Sequence, residues 1–192
     1  FFANEKNSIA VNFLQKFLQS TNTNYAYLWG KVGTGRSHLL QACCHQAEQL
    51  NLVTAYLPLS EPLAVEMLEN LEFSDLVCLD DVDAVLGNKV WEHALFHFFN
   101  RIKDSGKHLL ISGSCAPREL RINLADLQSR LTSGTIFQLS ELRDTEKLQA
   151  LQLHANNRGM QLPDEVGDFL LRRCTRDMLA LFAILDNLDK AS

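Results

Sequence analysis

Three glycines and a serine have the spacing of a phosphate-binding loop, and they are the first residues here that could do chemistry. The segment from Gly30 to Ser37 reads GKVGTGRS and follows the pattern G-x-x-x-x-G-K-[ST] except at Arg36, where lysine is usual. Glycine lets a backbone fold so tightly that its N–H groups converge on phosphate oxygens, and the start of the following helix favours the same anion. The segment therefore predicts a site for nucleotide phosphates, and a glycine turn before a helix is the alternative.

Two adjacent carboxylates come directly after a short apolar run. Residues 76–79 are apolar and precede Asp80 and Asp81. Such a run is typical of a buried parallel strand, and the carboxyl end of such a strand is where an open α/β sheet binds its ligand. We predict that Asp80, with the Ser37 hydroxyl, holds Mg²⁺, and that Asp81 orients an attacking water. A solvated acidic turn is the alternative for both carboxylates.

A second buried strand is predicted to end in hydroxyl groups. Residues 108–111 lead into Ser112, Gly113 and Ser114. This strand should lie beside the strand of Asp80, so that Ser114 can face the γ-phosphate of a nucleotide. A plain turn at the end of the strand is the alternative.

The elements that must position these residues alternate between strand and helix. The phosphate loop stands between an apolar run at 25–29 and a helical pattern that continues to about Leu50. Alternation of this kind predicts an α/β fold with a parallel five-stranded sheet between helices. A short helix is also predicted from Glu61 to Leu71. From Ser140 onward the pattern is only helical, so we predict a nucleotide-binding subdomain over 1–139 and a small three-helix lid over 140–192.

The composition limits the classes of protein to consider. The chain has 192 residues, 46% of them hydrophobic and 21% charged, which is ordinary for a globular protein. The net charge of −5 argues against a nucleic-acid domain, although a local basic patch stays open. No run is long and apolar enough to span a membrane. The five cysteines lack metal-ligand spacing, which favours reduced thiols and a cytoplasmic location.

Together these features resemble the AAA+ ATPases of the DnaA family, and the resemblance covers essentially the whole chain. Its most specific stretches are residues 28–40, 76–83, 127–131 and 144–153. Within that family the chain is most similar to the Hda branch, the regulatory inactivators of DnaA, which share the arginine at the position of Arg36.

The resemblance implies a role for individual residues. Phe2 would lie over the adenine, Ser114 would occupy the sensor 1 position, and Arg176 would be the sensor 2 arginine of the lid. Arg130 resembles an arginine finger, which is offered to the nucleotide of a neighbouring subunit. For both arginines, a plain surface position is the alternative. The nucleotide would be held by the loop and the turn after it, namely Gly30, Gly33, Thr34, Gly35, Arg36, Ser37 and His38.

The function implied by the resemblance is negative regulation of replication initiation. The chain is expected to bind ADP or ATP with Mg²⁺ and, with the DNA-loaded sliding clamp, to stimulate hydrolysis of DnaA-bound ATP. The clamp is expected to be bound through a segment before Phe1, and a further lid helix is expected after Ser192. A homodimer stays open, while no membrane partner and at most weak direct contact with DNA are expected.

Three positions depart from those of active ATPases. Arg36 replaces lysine, Asp81 replaces the commoner glutamate, and Ser114 replaces the asparagine common at sensor 1. Each change could remove ~1–3 kcal/mol of transition-state stabilisation, so hydrolysis by this chain itself is expected to be slow. The stretch from Ser60 to Asp75 also leaves little room for the helical insertion with which the initiator contacts single-stranded DNA.

Two other functions stay open at this point. One is a DnaA-type initiator or helicase-loader ATPase that acts on DNA, which a basic stripe across one face would favour. The other is an ATPase that hydrolyses ATP at ordinary enzyme rates without DnaA.

Overall fold

The computed structural model of the chain describes residues 4–20, 24–173 and 178–191. The predictions for Phe2 and Arg176 therefore lie outside the described residues. Within the described ranges, no helix combines the length and the apolar character that crossing a membrane requires.

Strands and helices alternate through the first three quarters of the chain, and helices alone complete it. The strands are β1 (Tyr25–Trp29), β2 (Thr54–Pro58), β3 (Leu76–Asp80), β4 (His108–Gly113) and β5 (Thr135–Gln138). The helices are α1 (Ser8–Phe17), α2 (Arg36–Gln49), α3 (Lys89–Ser105), α4 (Ala125–Leu131), α5 (Asp144–Asn156), α6 (Asp164–Arg173) and α7 (Met178–Ala191).

The five strands form one parallel sheet in the order β2-β3-β4-β1-β5. This arrangement confirms the predicted α/β fold, including the pairing of β4 with β3. Because β4 lies between β1 and β3, the loops that follow β1 and β3 flank the carboxyl end of β4. A ligand site at this edge can therefore draw on the phosphate loop, the acidic turn and the end of β4.

The three inner strands of the sheet are buried on both faces because they are apolar at consecutive positions. All five residues of β3 are buried. Val77 and Leu79 pack in one cluster with α3, whereas Leu76 and Cys78 pack in a second cluster with α1 and α2. Successive side chains of a strand point to opposite faces, so an unbroken apolar run serves both layers. The four cysteines in the described ranges are free thiols.

The predicted helix from Glu61 to Leu71 is wrong. The structure has only two short 3₁₀ turns there, Val65–Leu68 and Leu71–Phe73. Asn70 separates them in the left-handed conformation, with φ of 64°. An α-helix cannot continue through such a residue, and asparagine adopts this conformation more readily than most side chains.

The three predicted lid helices are confirmed as α5, α6 and α7, and they share an apolar cluster of their own. The lid joins the sheet domain through Asn7, whose side chain donates to the Ser140 carbonyl at 3.0 Å and accepts from the Ser140 N–H at 2.9 Å. Asn4 also donates to Glu146 of α5 at 3.3 Å. The domain boundary at 139/140 stays a prediction.

Candidate nucleotide-binding site

The loop after β1 has the backbone shape of an anion cradle. Gly33 and Gly35 have φ values of 83° and 91°, which side chains with a Cβ rarely adopt. The Thr34 N–H and hydroxyl both donate to the Lys31 carbonyl, at 3.3 and 2.8 Å, and close the turn. Gly35 precedes α2 without a capping side chain. The first N–H groups of α2 are therefore left for an anion.

Arg36, the first residue of α2, contacts the acidic turn. Its Nη2 lies 2.9 Å from Oδ1 of Asp81, and the side chain is 8% exposed. Its Nη1 is buried without a hydrogen-bond partner. Burial raises the pKa of the Asp81 carboxyl, while the Arg36 guanidinium acts in the opposite direction. The loop arginine and the second carboxylate thus form one ion pair at the edge of the sheet.

Asp80 is buried and held by two hydroxyl groups. The Tyr56 hydroxyl donates to Oδ2 at 2.6 Å, and the Ser112 hydroxyl donates to Oδ1. The Ser112 oxygen also accepts the N–H of Asp81 at 2.9 Å. Ser112 therefore connects the end of β4 to both carboxylate residues, and it holds the turn in which Asp81 has a φ of 54°.

Tyr56 and Ser112 were not singled out from the sequence. The strand register explains their position, because Leu79 pairs with Ile111 and Tyr56 pairs with Cys78. Asp80 follows Leu79 and Ser112 follows Ile111, so these two residues lie side by side on adjacent strands. The sequence did place the Ser112 hydroxyl at the end of a strand predicted to lie beside that of Asp80, but it assigned the role to Ser114. Tyr56 reads as an ordinary strand residue.

Ser114 lies one residue beyond β4 and is exposed. Its N–H donates to Oδ1 of Asp83 at 2.9 Å, so the turn after β4 is tied to the turn after β3. Ser37 is half-buried in the first turn of α2, and His38 beside it is exposed. That Ser114 faces a γ-phosphate stays a prediction.

The side chains at this edge fit a Mg²⁺ ion that is held mainly through water. Each Asp80 oxygen accepts one hydroxyl hydrogen bond and so keeps acceptor capacity for a metal-bound water. No protein hydrogen bond engages the Ser37 hydroxyl within the described residues. Nor do three His, Cys, Asp or Glu side chains converge anywhere in those ranges. Mg²⁺ commonly binds to one or two protein oxygens plus substrate phosphates, which matches this set.

A groove lies between the phosphate loop and the lid. Its volume is about 560 Å³, within the range of small-molecule sites. Lys31 and Glu141 form an ion pair of 3.1 Å that connects its two sides. The groove is lined by Lys31, Val32, Gly33, Glu141, Leu142, Asp144, Lys147 and Met178.

Arg130 is not part of this cluster. It lies in the last turn of α4 and is partly exposed. In the ranges that the structure describes, no hydrogen bond or ion pair engages its guanidinium. The nearby Arg118 and Arg121 are exposed. The structure thus brings together Arg36, Asp80 and Asp81 and leaves Arg130 elsewhere on the surface.

Two sequence profiles match the chain. The profile of the bacterial DnaA ATPase domain matches residues 1–138, and the profile of the Hda lid domain matches residues 144–192. The two matches meet where the structure passes from the sheet to the helices.

Solved structures show the same fold. Domain III of Thermotoga maritima DnaA has a TM-score of 0.83 at 23% identity, over 95% of this chain and 82% of that one. AMPPCP-bound DnaA from Aquifex aeolicus has a TM-score of 0.78 at 22% identity, over 97% of this chain and 63% of that one. A Thermotoga maritima RuvB variant has a TM-score of 0.70 at 16% identity, over 97% and 61%.

Proposed function

This chain belongs to the bacterial DnaA ATPase family, and from that premise we propose that it is an Hda-like regulator of DnaA. In this proposal it binds ADP or ATP with Mg²⁺ and, together with the DNA-loaded sliding clamp, stimulates hydrolysis of the ATP on DnaA. The match of the Hda lid profile to residues 144–192 supports this branch of the family.

Nucleotide binding is supported by the loop geometry and by the groove beside it. The left-handed Gly33 and Gly35 leave the N-terminus of α2 open to phosphate. The groove extends from this loop to the lid, where a base and ribose would lie. Asp80 and Ser37 would hold the metal-bound water, and the metal would offset the phosphate charge.

The observation that carries the regulatory part of the proposal is the free guanidinium of Arg130. It is partly exposed on α4, and no partner engages it within the described residues. An arginine that acts on a neighbouring subunit's nucleotide must be available in this way. The ion pair between Arg36 and Asp81 adds support, because it occupies the carboxylate that hydrolysis by this chain would use to orient water.

The test is an Arg130→Ala variant in an assay of ATP hydrolysis by DnaA, with the clamp loaded on DNA. An arginine finger supplied in trans accelerates hydrolysis by about 10³–10⁵, so the variant should lose nearly all of the stimulation. Arg130→Lys should also be strongly impaired, because lysine lacks the planar fork of donors. Arg121→Ala, at an exposed arginine outside the site, is the matched control and should stimulate normally.

Two results would contradict the proposal. Full stimulation by Arg130→Ala would show that another group acts on DnaA. Tight binding of single-stranded DNA by this protein alone, without the clamp, would favour an initiator or a helicase loader. ADP binding by Arg130→Ala should equal that of the unmodified protein, which separates a loss of the finger from a loss of the fold.

A further inference from the structure

The ion pair between Arg36 and Asp81 joins two residues that phosphate-loop ATPases direct towards their nucleotide. Arg36 is the first residue of α2, directly after the glycine turn, where a side chain can reach the phosphates. Its Nη2 instead contacts Oδ1 of Asp81 at 2.9 Å, and only 8% of the side chain is exposed. The inference below rests on the proposed nucleotide site.

Asp81 is held in place to receive this arginine. Its N–H donates to the Ser112 hydroxyl at 2.9 Å, and its φ of 54° belongs to a turn fixed by the end of β3. Ser112 is itself fully buried. The backbone that presents the carboxylate is therefore held by a hydrogen bond, and Arg36 is the partner with the longer side chain.

The guanidinium is only partly satisfied in this position. Nη1 is buried and has no hydrogen-bond acceptor. A buried donor without a partner is unfavourable, and arginine binds phosphate best through two parallel hydrogen bonds. A nucleotide phosphate would therefore offer Arg36 a fork of acceptors, in place of the single ion pair with Asp81.

We propose that Asp81 is an internal counter-ion that competes with the nucleotide phosphates for Arg36 and so sets nucleotide affinity. While Asp81 holds the guanidinium, the cradle binds phosphate through backbone N–H groups with little help from its own arginine. Asp81 is then a positioning residue that acts through Arg36. The ligand class that it governs is the nucleoside di- and triphosphates.

The first test is the affinity for a fluorescent ADP analogue, measured by titration of the Asp81→Asn variant. Asparagine tolerates the left-handed conformation, so the turn should be preserved. The variant should bind about tenfold more tightly, because Arg36 is then free to form a charge-assisted hydrogen bond with the phosphate. Asp83→Asn removes a neighbouring carboxylate that bonds the Ser114 N–H and not Arg36. The affinity of this variant should stay within about threefold of that of the unmodified protein. Asp83 carries the same charge as Asp81 but does not hold Arg36.

The second test asks whether the tighter binding comes from Arg36. The double variant Asp81→Asn with Arg36→Ala should bind ADP no more tightly than Arg36→Ala alone, because no guanidinium is left for the loss of Asp81 to release. If Asp81→Asn still increased the affinity in the Arg36→Ala background, simple removal of negative charge would explain the effect and the counter-ion would be overturned. An equal increase in affinity for Asp83→Asn would lead to the same conclusion. Unchanged or weaker binding by Asp81→Asn would overturn the counter-ion as well. Absence of ADP and ATP binding by every form, including the unmodified protein, would instead refute the proposed nucleotide site and the counter-ion with it.

Discussion

At the scale of single residues, Ser112 ties the carboxylate of Asp80 to the backbone of Asp81. Its hydroxyl donates to Asp80 and accepts from the N–H of Asp81. Tyr56 supplies the second donor to Asp80, and burial together with this hydrogen bond raises the pKa of the phenol. A buried carboxylate is tolerated in a sheet edge only when such donors surround it.

Replacement of Ser112 by alanine should therefore destabilise the fold. It leaves Asp80 with one donor fewer and the Asp81 N–H without an acceptor, which should cost about 1–3 kcal/mol in the free energy of unfolding. Urea titration followed by circular dichroism measures this difference. Ser105→Ala is the control, because that exposed hydroxyl bonds only to a carbonyl of its own helix. Equal stability of the two variants would show that Ser112 is not needed to hold the acidic turn.

At the scale of elements, a buried glutamate of α3 fixes the start of α4, the helix that carries Arg130. Glu92 is 1% exposed. It accepts from the N–H groups of Gly87 and Leu124 at 2.9 Å and of Asn123 at 3.0 Å. Negative charge is favourable at the N-terminus of a helix, and here it comes from a neighbouring helix. The orientation of α4 thus depends on a residue far from it in sequence.

The pH dependence of stability should reflect this carboxylate. Burial alone would raise the pKa of Glu92, but the hydrogen bonds from Asn123, Gly87 and Leu124 outweigh it and lower the pKa. The stability that Glu92 contributes is therefore present above its ordinary unfolded pKa and is lost as the pH falls through the lower folded pKa. Glu92→Gln should lower the free energy of unfolding by about 2–3 kcal/mol at pH 7, because the glutamine amide cannot replace a charged acceptor.

Denaturant unfolding of Glu92→Gln at pH 7 and in acid measures both effects. The difference from the unmodified protein should shrink in acid. Glu66→Gln, in one of the short 3₁₀ turns and exposed, serves as the control and should change little. A stability gap for Glu92→Gln that stays constant down to strongly acidic pH would contradict a charged Glu92 in the folded state.

At the scale of the whole molecule, Asn7 connects the N-terminal segment to the start of the lid. It is fully buried, and its amide pairs with both backbone groups of Ser140. The exposed ion pair of Lys31 with Glu141 contributes little by comparison, because water screens it. The orientation of the lid over the groove should therefore depend on Asn7.

Asn7→Ala should loosen the lid. The two backbone groups of Ser140 would lose their partner, which should lower the free energy of unfolding by about 1–3 kcal/mol. Amide hydrogen exchange in α5 should become faster, and ADP should bind more weakly because the lid lines the groove. Asn12→Ala, at an exposed position of α1, should change neither quantity. If amide exchange in α5 were unchanged in Asn7→Ala, the orientation of the lid would not depend on Asn7.

The fold could be predicted from the sequence because its signals are local and repeated. Apolar runs bounded by turns indicated the strands, and the glycine spacing indicated the loop after β1. The helix expected from Glu61 to Leu71 failed because the left-handed Asn70 interrupts it, and composition alone does not show this. Tyr56, Ser112 and Glu92 were missed because their contacts join elements that are distant in the chain.

By itself, the sequence determined the α/β architecture, the phosphate loop and the acidic turn. Side-chain size and hydrophobic period act over a few residues, so they can be read along the chain. The folded arrangement was needed to show that Arg36 faces Asp81 and that Arg130 stands apart from both. The direction of a long side chain depends on which charges the strand order brings within reach, and strand order is a property of the folded sheet.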